Sequence, residues 1–174
     1  MIYRSKAPLR IGLAGGGTDV SPYSDQYGGA ILNTTISLSA YATIELMDED
    51  KIIVEALDRN EEQQFGLLSQ LPIDGKLDLL KAVYNRIQKD HPMPLHGFRL
   101  STFVDAPAGS GLGTSSTLVV AVLGAFVEML KLPFDEYKTA QYAYDIERND
   151  LQLAGGKQDQ YPATFGGVHF MEFY

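Results

Sequence analysis

The chain has 174 residues, 45% of them hydrophobic and 21% charged, with 14 Lys or Arg against 22 Asp or Glu and a net charge of −8. That size and composition suit one folded domain, able to bury roughly two-thirds of the surface its unfolded form exposes, and they exclude a disordered chain. The lack of cysteine excludes disulfides, thiolate metal sites and cysteine nucleophiles and fits a cytoplasmic setting, while the acidic balance argues against a general nucleic-acid surface.

Ile2–Tyr3 and Leu9–Leu13 read as short strands. The amino terminus lacks the roughly seven continuous apolar residues of a secretory signal. The loop Ala14-Gly15-Gly16-Gly17-Thr18-Asp19 follows, and three successive glycines cannot hold a regular element. Residues 30–47 are rich in Ile, Thr, Leu, Tyr and Ala, and 51–57 alternate in part, so several strands are expected here. The acidic turn Asp48-Glu49-Asp50 separates the last two. Residues 58–75 are polar and mixed. Leu77, Leu80, Val83, Tyr84 and Ile87 then recur at helical spacing over 77–89. After His91-Pro92-Met93-Pro94, residues 97–104 alternate as a strand.

Residues 114–131 read as a helix that is apolar nearly all round, and therefore buried. Its apolar run from Leu118 to Leu130 includes Glu128 and is shorter than the roughly 18 residues of a membrane span. Pro133 opens a helix reaching about Arg148, residues 151–160 form a loop around Gly155-Gly156, and 168–173 alternate as a last strand. Strands and helices are mixed without a regular βαβ repeat, so the fold class is α+β.

The segment Pro107-Ala108-Gly109-Ser110-Gly111-Leu112-Gly113-Thr114-Ser115-Ser116-Thr117 stands out, because alternating glycines and hydroxyl residues enter a long helix. Glycine lets the backbone turn and approach a ligand, and the first N–H groups of a helix lack intrahelical partners, so the segment can seat phosphate. A ligand-free strand-to-helix connection is the plainer alternative. The segment is not a Walker A loop, since no Lys follows Gly113, and it fails the dinucleotide spacing, since Thr114 occupies the third glycine position. Taken singly, Arg10 reads equally as a surface residue, Asp19 as a turn former and Glu147 as a solvated helix end. His91, His96 and His169 show no ligand-like spacing.

Together these segments resemble the GHMP small-molecule kinases, the family of galactokinase, homoserine kinase, mevalonate kinase and phosphomevalonate kinase. Residues 107–116 resemble the family's second motif. Ala7-Pro8-Leu9-Arg10-Ile11 with Ala14–Asp19 resembles the first, and Gly155-Gly156-Lys157-Gln158-Asp159-Gln160-Tyr161 resembles the segment holding the catalytic aspartate. The resemblance implies an amino-terminal lobe of the ribosomal protein S5 domain 2-like fold, a mixed sheet packed with helices. It implies ATP bound by Pro107, Gly109, Ser110, Gly111, Leu112, Gly113, Thr114, Ser115 and Ser116. Asp159 would accept or orient the proton of the attacking hydroxyl, and Arg10 would stand beside it. Mg²⁺ would be held by Ser115 and Glu147, and sugar by Gly16, Gly17, Thr18 and Asp19.

Within the family, the triple glycine and the Lys-Gln-Asp-Gln-Tyr string are most similar to the heptose 7-phosphate kinases, with the L-fucokinases second. The implied reaction moves the γ-phosphoryl group of ATP to the anomeric hydroxyl of the sugar phosphate. The 1,7-bisphosphate so formed would feed nucleotide-heptose and surface-glycan synthesis. Gly16-Gly17 stand where galactokinases carry Glu-His, which leaves room for a larger or phosphorylated sugar. Lys157, or Arg4 or Lys6, is expected to meet the substrate's phosphate. The family's third glycine motif, in a carboxy-terminal lobe, has no counterpart in residues 1–174, so the chain is expected to be one lobe, inactive or merely ligand-binding by itself. A small-molecule sugar phosphate is the expected partner, with no nucleic acid or membrane, and a homodimer is left open.

Overall fold

In the computed structural model, which describes residues 1–174, two long strands organise the chain: β1 (Ile2–Ala14) and β2 (Gly29–Leu46). They pair antiparallel along most of their length. Beyond them lie β3 (Lys51–Ala56), β4 (Glu61–Gly66), β5 (Phe98–Val104) and β6 (Val168–Phe173). The sheet runs β1-β2-β5-β3-β4, with β6 pairing the first part of β2. Only β3 and β5 are parallel, which makes the sheet mixed.

Alternation decides which face is covered. Ala7 and Leu9 of β1, Ala40, Ala42 and Ile44 of β2, Ile52 and Val54 of β3, and Phe98 and Leu100 of β5 all point into one core. That core is closed by α2 (Asp78–Asp90) and α3 (Thr114–Leu130). α3 is buried on nearly every side, which explains its nearly uniform apolar sequence. Tyr84, Phe98 and Phe126 meet with ring centroids 5.4–6.2 Å apart. α4 (Glu136–Asp145), a π-helical turn (Ile146–Asp150) and α5 (Gln160–Phe165) complete this layer, and α1 (Tyr23–Tyr27) is a short surface turn. No helix is long and apolar enough to cross a membrane.

Several expected boundaries shift. The two short strands at the start are one strand, irregular just after Pro8: two steps from Pro8 to Arg10 correspond to four from Ser39 to Thr35. Of the several strands expected over 30–57, residues 30–46 belong to the single β2, which changes partner from β6 to β5 beside that irregularity, and β3 follows the acidic turn. The helix expected from Pro133 to Arg148 starts only at Glu136, where the Asp135 side chain accepts the Lys138 N–H at 2.7 Å, and it passes into the π turn after Asp145. Within residues 58–75 lies β4, an edge strand, and the loop expected over 151–160 leads directly into α5.

Candidate active site

The irregularity in β1 places Arg10 beneath the glycine loop, where it is 8% exposed. Its backbone N–H donates to the Leu112 carbonyl at 3.1 Å, and its guanidinium donates to the Gly111 carbonyl at 2.7 Å. One residue thereby fixes the loop from strand and side chain together. The same guanidinium grips Asp159, donating from Nε at 2.6 Å, with Nη2 at 2.5 Å from the same oxygen. Gly113 sits between them with φ +75°, and a Cβ there would lie 3.3 Å from Asp159 Oδ1 and 3.4 Å from Arg10 Nε. Glycine is required at this position by both the backbone conformation and the close approach.

α3 begins at Thr114, and its first backbone bond runs from the Thr117 N–H to the Gly113 carbonyl at 3.0 Å. No side chain caps this end and no acidic residue lies in the first turn. The N–H groups of Thr114, Ser115 and Ser116 are therefore left for an anion, at the positive end of the helix dipole. They face a cleft of about 220 Å³ lined by Arg10, Gly109, Gly111, Gly113, Thr114, Ser115, Ser116 and Asp159, with no hydrophobic side chain among them. Ser115 and Asp159 thus share one cavity, although 44 positions of sequence separate them. Pro107 opens the loop, its carbonyl accepting the Ser110 N–H at 3.2 Å, and Leu112 turns its side chain onto the core.

Glu147 lies behind this cleft, 2% exposed. It meets Ser116 rather than Ser115: the Ser116 hydroxyl donates to Oε1 at 3.0 Å, and the Gln160 amide donates to Oε2 at 2.6 Å. Burial pushes its pKa above the ordinary carboxylate value, against the lowering effect of these two donors. Arg148 approaches it only to 4.0 Å. The Glu147 carboxylate and the Ser115 hydroxyl are hard oxygen donors of the kind that suit Mg²⁺ completed by phosphate and water, although both Glu147 oxygens are here engaged by Ser116 and Gln160 and the residue does not line the cleft.

The loop before Asp19 packs against the segment that leads into Asp159. Asp19 is 6% exposed; its Oδ2 accepts the Gln158 N–H at 3.0 Å, while its Oδ1 is buried without a partner. Gly156 packs directly against this carboxylate, leaving no space for a Cβ. An unpaired buried acceptor held against the Asp159 segment is suited to a ligand hydroxyl. Gly16 and Gly17 border open space. Thr18 is turned inward, its hydroxyl bonded to Gly15, and serves the loop's shape. Lys157 does not line the cleft; its ammonium lies 5.4 Å from the centre of the Tyr144 ring.

Residues 78–167, a little over half of the chain, match the family pattern described as the GHMP kinases N terminal domain. The chain belongs to the GHMP kinases. The matched span of the family holds the glycine loop, Glu147 and Asp159, and the likeness to individual relatives extends it to Arg10 and Asp19. The chain is 53% identical to a D-glycero-alpha-D-manno-heptose 7-phosphate kinase of Campylobacter jejuni, over 98% of the chain and 50% of that protein. It is 29% identical to an L-fucokinase/L-fucose-1-P guanylyltransferase of Bacteroides fragilis, over 96% of the chain and 20% of that protein. A crystal structure described as a D-glycero-D-manno-heptose 1-phosphate kinase from Bacteroides thetaiotaomicron superposes with a TM-score of 0.94 at 57% identity, covering 99% of the chain and 56% of that structure. The chain thus spans about half the length of these heptose-kinase relatives, and its mixed sheet with helices on one face is the GHMP amino-terminal fold.

Gln160 lies in the Asp159 segment, but the sequence assigns it no role. A glutamine carries no charge signal, and its role depends on Glu147 and Ser116, which only the fold brings to it.

Proposed function

We propose that these 174 residues form the ATP-binding lobe of a sugar kinase that phosphorylates the anomeric hydroxyl of D-glycero-D-manno-heptose 7-phosphate. One observation carries the reading: the Asp159 carboxylate, oriented by Arg10, opens into the cleft that the free N–H groups of α3 floor. Those N–H groups, with the loop amides, would bind the triphosphate and hold it in line. The sugar oxygen attacks the γ-phosphorus, the bond to the β–γ bridging oxygen breaks, and ADP leaves. Asp159 accepts or orients the hydroxyl proton, and Arg10 keeps that carboxylate aimed and favours the developing alkoxide charge. Ser115 and Glu147 would hold Mg²⁺, which supplies charge neutralisation at the phosphates. Asp19, through its unpaired Oδ1, would accept a sugar hydroxyl.

The two heptose-kinase relatives are named for different phosphates, 7- in one and 1- in the other. A coupled ADP-release assay with heptose 7-phosphate, heptose 1-phosphate and L-fucose therefore tests the substrate. It is run on the chain alone and on the chain joined to the remaining half of the Campylobacter jejuni relative. The expected result is turnover of heptose 7-phosphate, with a new anomeric phosphate in the ³¹P spectrum. Preference for either other sugar overturns the substrate. A second reading, a lobe that binds ligand without turning it over, is favoured by the half-length match, and calorimetry with ATP on the chain alone reads it directly.

A further inference from the structure

Ser116, Glu147 and Gln160 form a closed triangle of hydrogen bonds that ties three elements together behind the cleft. Ser116 belongs to the first turn of α3, Glu147 to the π turn and Gln160 to the first turn of α5, immediately after Asp159. The Gln160 amide nitrogen donates to Glu147 Oε2 at 2.6 Å and to the Ser116 oxygen at 3.2 Å, and Ser116 donates onward to Glu147 Oε1 at 3.0 Å. All three side chains are buried, Gln160 completely. The orientation has a cost, since the Gln160 Oε1 is left buried with no partner.

The choice of a neutral donor is informative. Lysine or arginine at this position would satisfy Glu147 by cancelling its charge, and a carboxylate already neutralised attracts a cation weakly. An amide satisfies its oxygens without bringing a positive charge. The same amide adjoins Asp159 in sequence, so the orientation of one carboxylate is tied to the placement of the other. We propose that Gln160 is a positioning residue, fixing Glu147 and Ser116 relative to Asp159 so that the cation-holding carboxylate and the proton-accepting carboxylate are set as one unit. This inference rests on the sugar-kinase reading above.

The test is Mn²⁺ binding, followed by electron paramagnetic resonance on the chain with a non-hydrolysable ATP analogue, for Gln160→Leu, Gln160→Lys and Ser116→Ala. Loss of an outer partner typically weakens a metal site by 10- to 100-fold. Gln160→Leu is expected to weaken Mn²⁺ binding at least about 10-fold. Gln160→Lys is expected to weaken it at least as much while raising the melting temperature, a split that a purely structural role does not produce. In the turnover-competent protein Gln160→Leu should lower kcat with KM for ATP changed little. Mn²⁺ affinity within twofold of the parent in both Gln160 variants overturns the inference. Should Gln160→Leu fail to fold, Ser116→Ala decides on the same criterion, with weaker Mn²⁺ binding expected. Failure of the kinase reading appears separately, as turnover that survives Asp159→Asn or is absent in the parent.

Discussion

Gly113→Ala isolates the most constrained point of the site. At φ +75° an alanine loses roughly 1–2 kcal/mol to the clash of its Cβ with its own backbone. In a domain of this length each kcal/mol lowers the melting temperature by about 2–4 °C, so a fall of about 2–8 °C is expected. The new methyl also lies 3.3 Å from Asp159 Oδ1 and 3.4 Å from Arg10 Nε, inside the ordinary contact range of roughly 3.5–4.0 Å. The ion pair must therefore recede by a few tenths of an ångström. A misplacement of about 1 Å costs on the order of 100-fold in rate, so a kcat loss of about 10-fold is expected here. Gly109→Ala is the control: its φ is +79°, and its Cβ would meet nothing within 4 Å. It should melt at a similarly lowered temperature, raise KM for ATP at most, and leave kcat close to the parent. Thermal unfolding and steady-state ADP release on both variants decide. A Gly113→Ala enzyme with kcat within twofold of the parent refutes the idea that the loop packs against a working Arg10–Asp159 pair.

Asp159→Ala leaves the Arg10 guanidinium with only the Gly111 carbonyl, and should cost about 2–3 kcal/mol in urea unfolding, less than for a fully buried pair because Asp159 is 23% exposed. Asp159→Asn should lose less stability but at least about 100-fold in turnover. Asp74, held at about 2 chiefly by its hydrogen bond from Lys81, is depressed from 3.8. The unfolded state therefore takes up its proton first, and Asp74 contributes stability that is present above pH 3.8 and lost as the pH falls towards 2. Asp74→Asn should flatten that limb in urea midpoints measured between pH 5 and 2. Glu147 is shifted the other way, by burial, so the folded state holds its proton more tightly and stability declines as the pH rises past 4.5. Glu147→Gln should match or exceed the parent's melting temperature at pH 7 while losing divalent-cation binding. Lys157→Ala, removing an ammonium that rests on Tyr144, should leave the KM for heptose 7-phosphate within about twofold; a rise of 10-fold or more would return Lys157 to the phosphate site.

The two long helices were legible in the sequence because their periodicity or continuous apolarity survives burial. α2 starts and ends within one residue of its expected bounds, and α3 starts at Thr114 as expected. β4 was not legible: Glu61, Glu62, Gln63 and Gln64 face solvent or the sheet edge, so no alternation marks them. α5 was hidden by its six-residue length and by Pro162, which its first turn tolerates because no intrahelical N–H is needed there. β1 was divided because Arg4-Ser5-Lys6-Ala7-Pro8 carry no apolar run, and the register shift that sets Arg10 falls just after Pro8.

That shift explains how a site can be assembled from residues 149 positions apart. Pro8 stands opposite Ser39, whose backbone N–H and carbonyl both engage Asp105 on the β5 side of β2, so the backbone of β1 at Pro8 faces away from β2. Two residues on, past the register shift, Arg10 gives its backbone N–H to the Leu112 carbonyl, and its guanidinium reaches both the glycine loop and Asp159. Loop, helix end and carboxylate are consequently referenced to one strand residue rather than to one another. Substituting Arg10 should therefore disturb phosphate binding and hydroxyl activation together, whereas substitutions on either partner should disturb mainly one. The residue types were visible in the sequence, but the ladder defect that joins them becomes visible only when β1 is paired with β2.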